Sequence, residues 1–174
     1  IDIVSLTTVD ATILNGQFGG TETITGTTGT LTIEGTNSAN TIDISGFSNG
    51  LTQATNGTGL LKVSAAGGAD TITGSAKNDA ILGGTGDDVI TAGKGNDHVT
   101  GGAGADSIDL TESTASADYV VIAALTDGSS AGAAGGTFSG YDVVTGFETT
   151  SDEVVFDSAY ANDGAVDTAI ALAK

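Results

Sequence analysis

The sequence contains no cysteine, proline, methionine or tryptophan, and only four basic residues among 174. Without cysteine there are no disulfides and no thiolate metal sites. Aromatic residues make up 5%, too few to fill a large globular core with rings. No run approaches the roughly 18 apolar residues of a membrane-spanning helix. The chain opens on Ile1, with no methionine and no signal-peptide pattern, so a processed or excised piece of a longer protein is expected. Against the few bases stand 22 acidic residues, a net charge of −18. Such a chain repels phosphate backbones and anionic lipid heads, which excludes nucleic acid and the membrane surface as partners. Charge alone leaves two readings open: a cation partner, or an acidic surface that only confers solubility.

What is abundant is glycine, with 28 residues, and it recurs with a period. Residues 65–109 divide without insertion into five nonapeptides, AAGGADTIT, GSAKNDAIL, GGTGDDVIT, AGKGNDHVT and GGAGADSID. Their sixth residue is always aspartate: Asp70, Asp79, Asp88, Asp97 and Asp106. Their eighth is always β-branched and aliphatic: Ile72, Ile81, Ile90, Val99 and Ile108. Upstream, 17–43 keeps Ile24, Ile33 and Ile42 in that register but has Glu22, Leu31 and Asn40 where the aspartate belongs. Residues 56–64 continue with Leu61 and Val63, and 44–55 interrupt the pattern as a loop or wider coil.

The flanks read differently. IDIVSLTTVDATIL alternates as a strand or an irregular first coil. ADYVVIAAL (117–125) reads as a buried strand and 126–140 as a Gly/Ser/Ala-rich loop. YDVVTGFE and SDEVVFDS read as two more strands joined by a turn, and AVDTAIALAK (165–174) as a short helix.

In GGTGDDVIT (83–91) the glycines tolerate the positive φ of a tight turn. A strand of about three residues follows, with Ile90 pointing inward. So short a strand cannot stand alone, so the chain must coil and stack, two units to a coil. Turns 18 residues apart then lie over one another. Asp70, Asp88 and Asp106 line one edge, and Asp79 and Asp97 the other. At a stacking distance of roughly 4.8 Å, like charges repel by roughly 3 kcal/mol at an effective dielectric near 20. A cation resolves this. Calcium takes six to eight hard oxygens in a forgiving geometry, whereas magnesium demands a strict octahedron. Transition metals ask for nitrogen or sulfur, and the chain has one histidine.

These units resemble the RTX, or hemolysin-type calcium-binding, repeat G-G-x-G-x-D-x-U-x. GGTGDDVIT and GGAGADSID match at every defined position, AGKGNDHVT lacks the first glycine, and AAGGADTIT and GSAKNDAIL keep fewer. The resemblance implies an all-β, right-handed parallel β-roll with a C-terminal β cap, and Ca2+ bridging stacked turns. It implies carbonyls at positions one and three with the aspartate of one turn, and at two and four with the aspartate 18 residues on. Carried over, one site takes Ala65, Gly67 and Asp70 with Gly84, Gly86 and Asp88. A second takes Gly83, Thr85 and Asp88 with Gly102, Gly104 and Asp106. On the other edge, Gly74, Ala76 and Asp79 face Gly93, Gly95 and Asp97. The ends are irregular: Leu61 replaces an aspartate opposite Asp79, and positions 115 and 124 are alanine. Asp118, Asp127 and Asp142 are the candidates to close a capping site. YDVVTGFETTSDEVVFD is similar to the D-x-I-x-G/D-F…D-x-I-x segment that closes such rolls, with Asp142, Phe147 and Asp152 in place.

The expected organisation is 1–64 as degenerate coils without calcium ligands, 65–109 as the calcium-binding roll, and 110–174 as capping strands and tail. No catalytic residue is expected. His98 lies outward with no nucleophile at a recognisable spacing, and Asp87–Asp88 and Asp152–Glu153 have no aromatic sugar platform nearby. The four lysines are too scattered for a binding patch. Sites of the extracellular class, with dissociation constants of about 10⁻⁴–10⁻³ M, stay empty in the cytosol. The resemblance therefore implies type I secretion and folding outside the cell. The Thr/Gly/Ala/Ser-rich texture outside the repeats is similar to that of S-layer proteins. It favours a structural surface protein whose partners are identical chains or cell-surface polysaccharide. The alternative is the secretion and folding module of a larger exoenzyme, toxin or adhesin.

Overall fold

The computed structural model describes residues 3–6, 11–14, 23–26, 31–46, 61–122 and 141–156. Upstream of the repeats the strands are β1 (Ile3–Leu6), β2 (Ala11–Leu14), β3 (Thr23–Gly26), β4 (Leu31–Glu34), β5 (Thr41–Asp43) and β6 (Leu61–Ser64). The repeats give β7 (Thr71–Thr73), β8 (Asp79–Thr85), β9 (Val89–Thr91), β10 (His98–Ala103) and β11 (Ser107–Asp109). The remaining strands are β12 (Tyr119–Ile122), β13 (Val143–Thr145) and β14 (Glu153–Phe156). No helix occurs among the described residues, and the expected helix at 165–174 lies outside them.

Every strand pairing among the described residues is parallel. One sheet runs β14-β12-β10-β8-β6-β4-β2, the second runs β13-β11-β9-β7-β5, and β1 pairs with β3 apart from both. From β4 onward, consecutive strands alternate between the two large sheets, so each coil lays one strand on each face. This is a parallel β-roll, and the fold is all-β.

Register follows the repeat length. Leu61 pairs with Asp79, Thr71 with Val89, Ala80 with His98 and Val89 with Ser107, each 18 residues apart. Leu31 pairs with Leu61 and Thr41 with Thr71, 30 residues apart, a regular 18 plus the 12 residues of the interruption at 44–55. Past the repeats, His98 pairs with Tyr119 and Ser107 with Val143. These spacings are 21 and 36 residues, yet the strands stay in line.

The interior is the eighth-position ladder. Ile33, Val63, Ile81, Val99 and Val120 stack on one sheet, and Ile42, Ile72, Ile90 and Ile108 on the other, none more than 4% exposed. Burying each such side chain contributes about 1.5–3 kcal/mol, and neighbours in the ladder bury one another. That mutual burial explains why strands of three or four residues hold.

One detail departs from the sequence reading and one fills it in. β8 and β10 run seven and six residues, longer than a three-residue strand, because the glycines after the strand continue the ladder. Gly84 pairs with Gly102, and Thr85 with Ala103. The two C-terminal strands do not pair with each other: β13 adds to β11 on one face and β14 to β12 on the other. They extend both sheets by one strand.

Candidate metal centre

The repeat aspartates form two columns, one along each edge of the roll. On the first, the backbone N–H of Asp70 donates to Oδ1 of Asp88 at 2.8 Å, and that of Asp88 to Oδ1 of Asp106 at 2.9 Å. On the second, Asp79 N–H donates to Oδ1 of Asp97 at 2.9 Å. Each carboxylate thus reaches back to the turn before it, and its height is fixed by the strand that follows. Asp70, Asp79, Asp88, Asp97 and Asp106 are all buried, at 0–1% exposure.

One oxygen of the carboxylate is left over. Oδ2 of Asp70, Asp88 and Asp97 is buried without a hydrogen-bond partner. An uncompensated buried carboxylate oxygen costs several kcal/mol. The electrostatics say the same: burial pushes the Asp97 carboxyl up to about 9, with the charges of Asp79, Asp118 and Glu112 adding to the shift. Burial also raises Asp79, Asp88 and Asp118 to about 6. Such groups ask for a proton or a cation. Asp79 is partly satisfied by its own turn, since Ser75 donates N–H to Oδ2 at 2.6 Å and its hydroxyl to Oδ1 at 3.0 Å.

The backbone oxygens between turns are sorted by position in the repeat. First-position carbonyls face the preceding turn: that of Ala92 lies against Gly74, and that of Gly101 against Gly83. Third-position carbonyls do the same, with Thr85 accepting from Gly68 N–H at 2.8 Å and Ala103 from Gly86 N–H at 2.7 Å. Second- and fourth-position carbonyls face the following turn, as Ala66 and Gly68 face Gly84 and Gly86. The gap between turns 65–70 and 83–88 is therefore lined by the carbonyls of Ala66, Gly68, Gly83 and Thr85. The pairing carried over by resemblance had Ala65 and Gly67 facing Gly84 and Gly86, which reverses the order. Ala65 points to the turn before, against Gly35, and Gly84 to the turn after, against Gly102.

Glycine is required where these carbonyls press close. Gly84 has φ +118, and a Cβ there would strike the Ala66 carbonyl. At the equivalent second position Ala66 itself carries a positive φ of 78. An L-residue pays about 1–2 kcal/mol in that region, more than the roughly 0.5–1 kcal/mol of extra chain entropy that glycine brings. Ala66→Gly should therefore stabilise the roll by about 0.5–1 kcal/mol, read as a higher thermal midpoint at fixed calcium.

The columns do not stop with the nonapeptides. Oδ1 of Asp118 accepts from Asp97 N–H at 2.9 Å, Oδ1 of Asp142 from Asp106 N–H at 2.9 Å, and Oδ1 of Asp152 from Asp118 N–H at 3.1 Å. Asp118 and Asp142, two of the three candidates, thus stand in the aspartate position of later turns. Asp127 lies outside the described residues. At the other end Asn40 replaces an aspartate, and its N–H donates to Oδ1 of Asp70 at 2.6 Å. His98 is partly buried on β10, stacked on Tyr119 with ring centroids 6.2 Å apart, and burial holds its imidazole below the ordinary range. Among the described residues no three acidic or histidine side chains gather closely enough to hold a metal by themselves. Any cation between turns draws the rest of its ligands from backbone carbonyls, a donor set that suits calcium.

Comparison with protein families bears on the same stretch. Residues 64–98 and 82–111 match the model of the RTX calcium-binding nonapeptide repeat, a model of four copies. No curated protein and no solved structure matches the chain at a significant level.

Proposed function

We propose, from the premise that residues 64–111 are RTX calcium-binding nonapeptide repeats, that this chain is an extracellular structural module. Calcium makes it fold, and its folded faces then serve cell-surface assembly. The repeats bind Ca2+ and are structural rather than catalytic; on that basis we read the whole chain as having no enzymatic activity. The observation that carries the reading is the column of buried carboxylates whose second oxygen has no partner at Asp70, Asp88 and Asp97. An ion between turns 65–70 and 83–88 takes the carbonyls of Ala66, Gly68, Gly83 and Thr85 with Asp70 and Asp88. One between 83–88 and 101–106 takes Gly84, Gly86, Gly101 and Ala103 with Asp88 and Asp106. On the other edge Ser75, Lys77, Ala92 and Lys94 supply carbonyls to Asp79 and Asp97. In the organisation we favour, 65–109 is the calcium block, 1–64 a metal-free continuation, and 110–174 the cap.

Assembly rests on the outer faces. On the second sheet Thr71, Val89, Ser107 and Val143 form one row, with Val89 50% and Val143 45% exposed. This row carries no charge on a chain of net charge −18, and only Asp43 and Asp109 charge the neighbouring outward row of the sheet, so it is where identical chains meet with least local repulsion. Adding millimolar calcium to the purified chain should produce sheets or filaments, seen by light scattering and negative-stain microscopy. A chain that binds calcium and stays monomeric overturns the assembly reading. The secretion and folding module of a larger exoenzyme then takes its place, and a catalytic motif in the flanking sequence of the full protein would identify it.

A further inference from the structure

We infer that the calcium row continues past the nonapeptides into a site of different make, in which the side chain of Glu112 replaces a backbone carbonyl. The inference rests on the reading of the regular gaps given above and goes beyond it by assigning a site outside the repeats. On the first edge the fourth-position N–H donates to the third-position carbonyl of the next turn, Gly68 to Thr85 and Gly86 to Ala103, while on the second edge that of Lys77 is taken by its own turn's Ser75 Oγ at 3.1 Å. In the gap after turn 92–97, the fourth-position N–H of Gly95 donates instead to Oε2 of Glu112 at 3.4 Å. Glu112 stands 18 residues after Lys94, so by count it holds the third position of its turn. A carboxylate oxygen has taken the place of a carbonyl.

The rest of the gap is built to match. Asp118 arrives three residues later than the repeat would place it, yet its Oδ1 accepts from Asp97 N–H as the regular aspartates do. Ala117 N–H is held by Oδ1 of Asn96 at 3.2 Å, which fixes the inserted residues onto the turn below. Asp97 is fully buried, its Oδ2 has no hydrogen-bond partner, and the charges of both Asp118 and Glu112 act on it. Asp97, Glu112 and Asp118 thus border one gap, tied to it through Asp97 N–H and Gly95 N–H, with three negative charges against two in a regular gap; they do not gather closely enough to hold a metal without the carbonyls between them. The register places the carbonyls of Gly93 and Gly95 on its other side. Calcium affinity rises with the number of charged ligands, so this gap should fill at lower calcium than the others. Trivalent lanthanides should favour it further.

The test uses the full chain and Glu112→Gln, a change that keeps an oxygen to accept from Gly95 and so leaves the turn closed. Equilibrium dialysis with calcium should show one fewer ion per chain, or that ion weakened by about tenfold or more, at an unchanged circular dichroism spectrum. Terbium supplies a second readout, because Tyr119 adjoins Asp118 and can sensitise its emission. Emission should fall several-fold in Glu112→Gln and in Tyr119→Phe, the latter with unchanged calcium stoichiometry. If the parent and Glu112→Gln bind the same calcium with the same affinity and give equal terbium emission, this inference is overturned while the regular gaps stand. A parent chain that takes up no calcium overturns both.

Discussion

Stripping calcium from this chain should abolish most of its β signal in far-ultraviolet circular dichroism at neutral pH, and returning calcium to about 10 mM should restore it. Each pair of stacked ionised aspartates repels by roughly 3 kcal/mol at an effective dielectric near 20. A few such pairs rival the whole stability of an ordinary domain, about 5–15 kcal/mol. Calcium reverses the sign. At concentrations ten to a hundred times its dissociation constant, each site contributes about 1.4–2.7 kcal/mol to the folded state alone, and the relief of the repulsion is already contained in that affinity. Asp88 is the sharpest probe, because its Oδ1 accepts from Asp70 N–H while its own N–H donates to Asp106, so it borders two gaps. Asp88→Asn keeps the shape and the hydrogen bond but removes a charge from both gaps. It should raise the calcium midpoint of folding by about tenfold or more. Asp43→Asn is the control, since Asp43 is exposed on β5, away from both aspartate columns, and accepts from the N–H and the hydroxyl of nearby Ser45. An undiminished β signal in metal-free buffer, or equal midpoints for Asp88→Asn and the parent, would sink the coupling of folding to calcium.

The repeat was legible because its two signals are side chains at fixed intervals. Aspartate at the sixth position and an aliphatic at the eighth set the coil length, the two edges and the interior ladder from Ile72 to Ile108. The reach of the roll beyond the repeats was only partly so. Asp118 and Asp142 are out of step with the nonapeptide count, by three residues and by a whole extra 18. Hydrogen bonds from Asp97 and Asp106 N–H restore the column across the extra residues, and a count along the chain does not register that. Carbonyl direction was not legible at all. It follows from the backbone angles of the turn, which the glycines permit but do not select, so the facing order of first, second, third and fourth positions came from the structure. The role of Glu112 was hidden likewise: its third position in a turn lacking glycine matters only once Gly95 is seen to donate to it.

Acid should do part of what calcium does. In the metal-free chain burial pushes Asp97 up to about 9, and Asp79, Asp88 and Asp118 to about 6, from an ordinary 3.8. The folded chain therefore holds more protons than the unfolded one from about pH 4 upward, and stability falls wherever that is so. The contribution of these four groups is complete below their ordinary value. It declines as pH climbs through 6, where three of them ionise, and goes on declining toward 9 as Asp97 follows. Metal-depleted protein should accordingly show more β structure and a higher thermal midpoint at pH 4.5 than at pH 8. With saturating calcium the order should invert, because protons and calcium compete for the same oxygens and ligand carboxylates must be ionised to bind. Folding driven by calcium should release protons at neutral pH, which calorimetry in buffers of different ionisation enthalpy would count. Equal metal-free stability at pH 4.5 and 8, or greater stability at pH 8, would mean that the two columns of aspartates do not carry the electrostatic strain argued for them.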